Sequence, residues 1–285
     1  MSAVRDALTW GAARLGAAGI ESARLDARLL LGFAMDLAPE NLLVAQDLTE
    51  EQLGRFESLI SRRESREPLA YIVGQKEFWS LDFEVGPGVL IPRPETETLI
   101  EEALRDFPDC DAPLDIADLG TGSGCLLIAF LESSPNAKGW GIDRSAEALS
   151  WALRNAARHG VGTRCVLSQR DWTEEVAPSF DIVFSNPPYV TERELDGAAP
   201  EILRYEPRDA LLGGDDGLKA YRELAPAIAL CLRAGGRAYL EIGSRQADAV
   251  AAVLERHSLG ILRVVADLAG HPRCLVVAKK QLETL

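Results

Sequence analysis

The chain has 285 residues, of which 47% are apolar, and a formal net charge of −14. That length sets a prior of about two domains, and the apolar share supports a full core. The acidic balance, with no basic stripe, argues against a protein that wraps nucleic acid, because phosphate binding draws on Lys and Arg to release counterions.

Residues 1 to about 70 are predicted to be helical. Leu8, Ala12, Leu15 and Ala18–Gly19 fit one apolar stripe, and Leu25, Leu29, Leu30 and Phe33 fit a second. Thr49-Glu50-Glu51-Gln52 has the capping-box form and opens a third helix with Leu53, Phe56, Leu59 and Ile60 on one face. Alternation over Leu69 to Val85, with turns at Gly74 and near Ser80-Leu81-Asp82, predicts a β-hairpin linker. The expected domains are therefore 1–70 (helical), 71–92 (hairpin linker) and 93–285 (an α/β domain).

From Glu95 onward strands and helices alternate. Strands are predicted near 114–119, 138–142, 164–168, 180–185, 236–241, 260–266 and 273–279, with helices near 95–107, 123–134, 146–159, 217–233 and 245–257. This implies a mostly parallel sheet covered on both faces. The last two strands are separated only by Asp267 to Pro272, too short for a crossover helix, so they must pair antiparallel. The stretch Glu95 to Asp118 holds nine acids against Arg105 alone, which reads as a solvated helix face and loop. A weaker reading is attraction of a cationic ligand or a basic partner. The five cysteines are far apart, form no metal spacing and fit a reducing compartment. No 18-residue apolar run and no basic-then-apolar leader occur, so a soluble cytoplasmic protein is expected, although an organelle protein with its transit peptide removed would read alike.

Three punctuation marks on this frame carry chemistry. The strand ending at Leu119 runs into Gly120-Thr121-Gly122-Ser123-Gly124 and then a helix, a nucleotide-type binding edge. The dinucleotide pattern would need glycine at position 125, where Cys125 stands, which disfavours a nicotinamide oxidoreductase. Asp143 ends the next strand 19 residues beyond Gly124 and can accept from the ribose hydroxyls of an adenosine ligand, or else cap the helix that begins near Ser145. The run Phe180 to Ser185 stops at Asn186-Pro187-Pro188-Tyr189, 62 residues after the loop. Neither proline has an N–H. The site offers the Asn186 side-chain oxygen and the Pro187 carbonyl as acceptors with a flat ring beside them, which suits a planar substrate bearing –NH2.

A glycine loop after the first strand, an acid after the second and N-P-P-Y after the fourth resemble class I S-adenosylmethionine-dependent methyltransferases of amino groups. Pro92-Arg93-Pro94-Glu95-Thr96-Glu97, Asp171-Trp172, and Asp267-Leu268-Ala269-Gly270 with Arg273 narrow the likeness to the HemK/PrmC family of glutamine methyltransferases. The resemblance implies a Rossmann-like seven-stranded sheet with an antiparallel seventh strand, and a small helical domain at the front that docks the substrate. It implies S-adenosylmethionine, converted to S-adenosylhomocysteine, held by Gly120, Thr121, Gly122, Ser123, Gly124, Asp143, Trp172 and Asn186. The acceptor would be the glutamine amide in the Gly-Gly-Gln loop of class I peptide chain release factors, bound by Asn186, Pro187, Pro188 and Tyr189, with Asn186, Pro187 and Tyr189 catalytic. No metal, membrane or direct nucleic-acid contact is expected. Tyr189 could instead pack under its own loop, Trp172 could be a core residue, and Arg93 and Glu95 could line the cofactor pocket or merely connect domains.

Two rival enzymes share the motif: an exocyclic adenine amino methyltransferase, and a glutamine methyltransferase of a ribosomal protein. Flipping a base also needs a phosphate grip, which an acidic chain supplies poorly. A non-catalytic binding module would have little use for an intact loop, Asp143 and Asn186 together.

Overall fold

The computed structural model describes residues 3–43, 47–174 and 179–280. Contacts divide the chain into two compact units, one holding the residues up to Gln75 together with Ala199–Tyr205, the other Lys76–Ala198 and Glu206 onward.

The first unit is helical. Thr49 caps α3 (Glu50–Glu64) with the full capping box: its hydroxyl accepts from the Gln52 N–H, and the Gln52 side chain accepts from the Thr49 N–H. The faces buried by α1 (Ala3–Ala17) and α2 (Ala23–Met35) differ from those predicted. Helix α1 buries Val4, Ala7, Gly11 and Leu15, because Phe56 fills the space over Gly11, where an added Cβ would lie 2.7 Å from the ring. Leu25 and Leu53 point to solvent. In α2 the buried face is set by Asp26, whose carboxylate accepts from Arg63 Nε at 2.8 Å. A stripe drawn through the largest apolar residues misses a face chosen for close approach and for one ion pair. The short helix α9 (Pro200–Tyr205), not among the predicted elements, belongs to this unit: Glu201 accepts from Arg63 at 2.9 Å and from Arg66 at 2.8 Å.

The predicted hairpin begins later than expected. Leu69–Val73 forms a helical turn (α4), entered through Pro68 and ended by Gly74 at φ +77°. Strands β1 (Gln75–Phe78) and β2 (Leu81–Glu84) follow. Trp79 and Ser80 join them, both at positive φ, as a two-residue turn matched to strand twist requires. Asn155 is bonded to both backbone groups of Glu84, so the hairpin is tied to the α/β unit.

That unit is the expected α/β sheet. Its strands are β3 (Asp115–Leu119), β4 (Lys138–Asp143), β5 (Cys165–Gln169), β6 (Phe180–Ser185), β7 (Leu232–Glu241), β8 (Leu259–Ala266) and β9 (Pro272–Lys279). They stand in the order β5-β4-β3-β6-β7-β9-β8. Neighbours from β5 to β7 are parallel, and β9 runs antiparallel between β7 and β8. Successive strand residues feed two different cores. Ile116, Ile182, Tyr239 and Val276 join one, and Ala117, Val183, Leu240 and Val277 the other, as the period of two demands of a sheet covered on both faces. Helices α5 (Glu97–Asp106), α6 (Cys125–Ser133), α7 (Ala146–Arg158), α10 (Lys219–Cys231) and α11 (Ala247–Glu255) cover it. The remaining helix, α8 (Glu192–Asp196), opens on a capping box at Thr191 and Glu194, a local signal present in the sequence and overlooked there.

The order reverses between β3 and β6. One chain direction leaves β3 toward β4 and the other continues from β6 toward β7, so a crevice opens at the carboxyl ends of those two strands. Ser185 locks the pair there by donating to the Leu119 carbonyl at 2.6 Å.

Candidate active site

The glycine loop sits at this crevice. Gly120, Gly122 and Gly124 all have positive φ, and the N–H groups of Gly120 and Thr121 both donate to the Ile142 carbonyl at 2.9 Å. Two of the three glycines, Gly120 and Gly122, border the crevice. A Cβ on Gly120 would lie 3.0 Å from the Trp172 ring, whereas one on Gly122 would meet nothing within 4 Å. The backbone therefore lies bare on the crevice side at Gly122 and tight against the indole at Gly120. Helix α6 begins directly after, so its N-terminal dipole end faces the same space.

A cavity of about 620 Å³ lies along this edge, bounded by the loop, Asp118, Asp143, Trp172 and Asn186. Thr121, Ser123 and Pro188 also line it, as does Arg93. A second cavity of about 50 Å³ is lined by Asn186, Pro187, Pro188 and Tyr189 with Glu241. The residues predicted for the site, Gly124 excepted, border one of two adjoining spaces that share Asn186 and Pro188; a Cβ on Gly124 would instead meet Ile128 at 2.8 Å and Ala152 at 3.3 Å. Arg93 reaches Glu206, a buried carboxylate that also accepts from the Ile91 N–H at 3.2 Å; Glu95 is exposed.

Asp143 does not itself cap α7; it ties the glycine loop to the start of that helix. Its Oδ2 accepts from the Gly122 N–H and its Oδ1 from the Ser145 N–H, each at 2.9 Å. Ser145 itself caps α7, accepting from the Ala148 N–H at 3.1 Å. A carboxylate offers about four lone-pair sites, so each oxygen keeps acceptor capacity for a ligand hydroxyl. Burial raises the Asp143 carboxyl above its ordinary range, against the backbone hydrogen bonds that hold it down. Trp172 lies against the core and its Nε1 donates to Glu223 at 3.4 Å.

Several residues were missed. Asp118 is buried near the end of β3, and Thr121 Oγ1 donates to its Oδ2 at 2.7 Å. Its Oδ1 has no hydrogen-bond partner among the described residues. Thr96 and Glu241 stand behind Asn186, and Gln246 pins the motif by donating to the Tyr189 carbonyl at 3.1 Å. One signal could have found the acids: Asp118, Asp143 and Glu241 each lie at or next to the last residue of an apolar parallel strand. A charge there is costly unless it faces a site.

The donor set fits S-adenosylmethionine. An orphaned buried carboxylate oxygen and a second carboxylate line a cavity that would receive a cation bearing N–H and O–H donors, and the bare backbone at Gly122 admits a close approach. Burial pushes the Asp118 carboxyl up to about 7. Its folded value therefore exceeds its unfolded one, so its contribution to stability is full below the ordinary carboxylate range and is lost as pH rises through about 7. A cationic ligand favours the ionised form instead. Cofactor affinity is therefore expected to weaken by up to about tenfold per unit as pH falls below 7, with Asp143 adding in the same direction. Asp118→Asn should flatten most of that slope, and calorimetric titrations across the range would show it.

Comparison with known proteins places this geometry among relatives. A family profile described as PrmC N-terminal domain matches residues 6–74, and one described as Methyltransferase small domain matches residues 99–214. The chain is 43% identical over 280 residues to a release factor glutamine methyltransferase of Caulobacter vibrioides, covering 96% of each chain. It is 42% identical over 272 residues to one from Rhodospirillum rubrum, covering 95% of this chain and 83% of that one. It is 40% identical over 284 residues to one from Moorella thermoacetica, covering 98% and 99%.

Proposed function

The chain belongs to the release factor glutamine methyltransferases, and from that premise we propose that it methylates the side-chain amide nitrogen of the glutamine in the Gly-Gly-Gln loop of class I peptide chain release factors. The observation that carries the reading is the Asn186-Pro187-Pro188-Tyr189 stop at the end of β6, beside the glycine loop of β3 and bordering both cavities.

The donor is S-adenosylmethionine, which when bound supplies a methyl group on a sulfonium, an activated carbon with a good leaving group. What an amide acceptor lacks is nucleophilicity, since its lone pair is delocalised into the carbonyl. Asn186 Oδ1 and the Pro187 carbonyl accept the two N–H bonds of the glutamine amide and hold its nitrogen lone pair toward the larger cavity. Tyr189 bounds the smaller cavity on the other side. The rest is proximity, with reacting atoms held about 3–3.5 Å apart in line. No His, Lys or carboxylate occurs within the motif, and none is required before transfer: as the sulfonium leaves as a neutral thioether, the positive charge passes to the methylated nitrogen, and this N-protonated amide cation is strongly acidic and releases a proton to water to give the neutral N-methyl amide. Gly120–Gly124 receive the amino-acid part of the cofactor, Asp143 its ribose hydroxyls and Trp172 its adenine.

The helical unit serves to dock the release factor, a role supported by its match to the family's N-terminal domain. A cytoplasmic location accords with that partner. Among the described residues no helix is long and apolar enough to cross a membrane.

The test is methyl transfer from radiolabelled S-adenosylmethionine offered in parallel to a release factor, its loop Gln→Ala variant, ribosomal protein and adenine-containing DNA. Label on the release factor alone, lost in the loop variant, is expected. Label on ribosomal protein or DNA in its place would overturn the substrate while keeping the site.

A further inference from the structure

Glu241 ends β7 and is buried, yet the site chemistry above does not use it. Its Oε2 accepts from Thr96 Oγ1 at 2.5 Å and its Oε1 from the Tyr189 hydroxyl at 3.0 Å. Arg273, whose charge acts on Glu241, is spent elsewhere: its Nε and Nη2 donate to Asp267 at 3.2 Å, and its Nη1 reaches the Tyr189 hydroxyl at 3.5 Å. A buried carboxylate held mainly by two hydroxyls is an expensive choice, because a neutral group of the same shape would avoid the desolvation. What a carboxylate offers that a neutral amide does not is a fixed polarity: it only accepts.

That polarity propagates. Thr96 has one hydroxyl proton and Glu241 takes it, so the remaining face of Thr96 Oγ1 can only accept. Asn186 Nδ2 donates to it at 3.3 Å. The nitrogen and oxygen of an asparagine amide are otherwise interchangeable in outline, and only the hydrogen-bond network decides between them. Here the –NH2 edge must face Thr96, which leaves Oδ1 on the opposite edge. The other carboxylate oxygen holds the phenol end of Tyr189, so one group orients both outer members of the motif. Glu241 lines the smaller cavity together with Asn186, Pro187 and Tyr189.

We propose that Glu241 is a positioning residue which, through Thr96, forces the Asn186 amide to present its oxygen rather than its –NH2 to the acceptor's N–H. This rests on the methyl-transfer reading above. Without the carboxylate the Thr96 hydroxyl can donate to Asn186 instead, the amide can turn, and a donor then meets the donor of the substrate.

The test compares Glu241→Gln, Thr96→Val, their double variant and Thr96→Ser in the full chain, with a release factor as acceptor and saturating S-adenosylmethionine. Glu241→Gln and Thr96→Val should each lower kcat by on the order of 10²-fold, the scale of a misplaced catalytic group. Cofactor Kd should stay near wild type. The double variant should be no worse than the poorer single one, since both break one relay, and Thr96→Ser, which keeps the hydroxyl, should retain near wild-type kcat. Wild-type kcat in Glu241→Gln, fully multiplicative losses, or loss in Thr96→Ser equal to that in Thr96→Val would each overturn the proposal. If the wild-type chain labels ribosomal protein or DNA rather than a release factor, the substrate reading fails alone. The same series read on that acceptor still decides the role of Glu241, because any planar –NH2 group needs the oxygen edge.

Discussion

Replacing Asn186 with alanine is expected to lower methyl transfer to the release factor by about 10²–10³-fold at saturating cofactor, the usual cost of removing one positioned polar group that acts on the reacting centre. The effect should fall on kcat. An interaction that engages the acceptor nitrogen is strongest when that nitrogen begins to lose its amide resonance, so its loss is felt more in the transition state than in the bound complex. Cofactor affinity should shift only modestly, because the carboxylates of Asp118 and Asp143 and the glycine loop remain. The shape of the motif should also survive: Gln246 still holds the Tyr189 carbonyl, and the Val190 and Gly213 N–H groups still bond across to Leu211 and Val190 at 2.9 Å. Asn186→Asp would distinguish polarity from shape, since it retains an acceptor but brings a second negative charge close to Glu241. Single-turnover kinetics with prebound cofactor are the measurement of choice. Near-normal turnover in Asn186→Ala would remove Asn186 from the chemistry altogether.

The second large effect lies in the helical unit. Arg63→Ala should destabilise it by about 3–5 kcal/mol, the cost of leaving a buried charge without its partner. Asp26 is 4% exposed and Arg63 is 6% exposed, so water cannot replace the lost guanidinium. The same arginine also donates to the Glu67 carbonyl at 3.1 Å and to Glu201, so α2, the end of α3 and the returning segment Ala199–Tyr205 all lose a common fastening. For a unit of this size such a loss corresponds to a fall of roughly 15 °C or more in its unfolding midpoint, out of a total stability of only about 5–15 kcal/mol. The double replacement Asp26→Leu with Arg63→Met should recover most of it, because packed apolar residues of similar volume commonly match a buried pair. Glu201 would keep Arg66, at 2.8 Å. Thermal unfolding followed by circular dichroism would separate these outcomes. A shift of under about 1 kcal/mol in Arg63→Ala would mean that the pair contributes nothing net.

Much of the sheet could be read directly because its signals are local. A buried parallel strand is a short apolar run, a strand-to-helix turn needs glycine, and the five residues between β8 and β9 allow no crossover. The bounds of β6 agree residue for residue, since Asn186 and two prolines terminate it chemically. The places of the glycine loop and Asp143 at the crevice were legible for the same reason, each being attached to the end of a readable strand. The helical faces were less so. Leu25 and Leu53 are exposed although they extend apolar stripes, because the contact surface was selected by Gly11 beneath Phe56 and by Asp26 reaching Arg63 across 37 residues. The turn of helix at Leu69–Val73 was mistaken for strand because five apolar residues before a glycine carry no period of their own.

The chain order of residues was enough to specify which elements form, where they stop and what class of chemistry their ends bear, for those properties depend on neighbours a few positions away. It could not specify that β6 lies between β3 and β7. That arrangement is a free-energy choice of the whole sheet, and it alone brings Asn186 to Thr96 across 90 positions and Thr96 to Glu241 across 145. Asp118 and Glu241 stand in the sequence only as acids at strand ends, and it is the sheet order that brings them to two adjoining cavities along one edge.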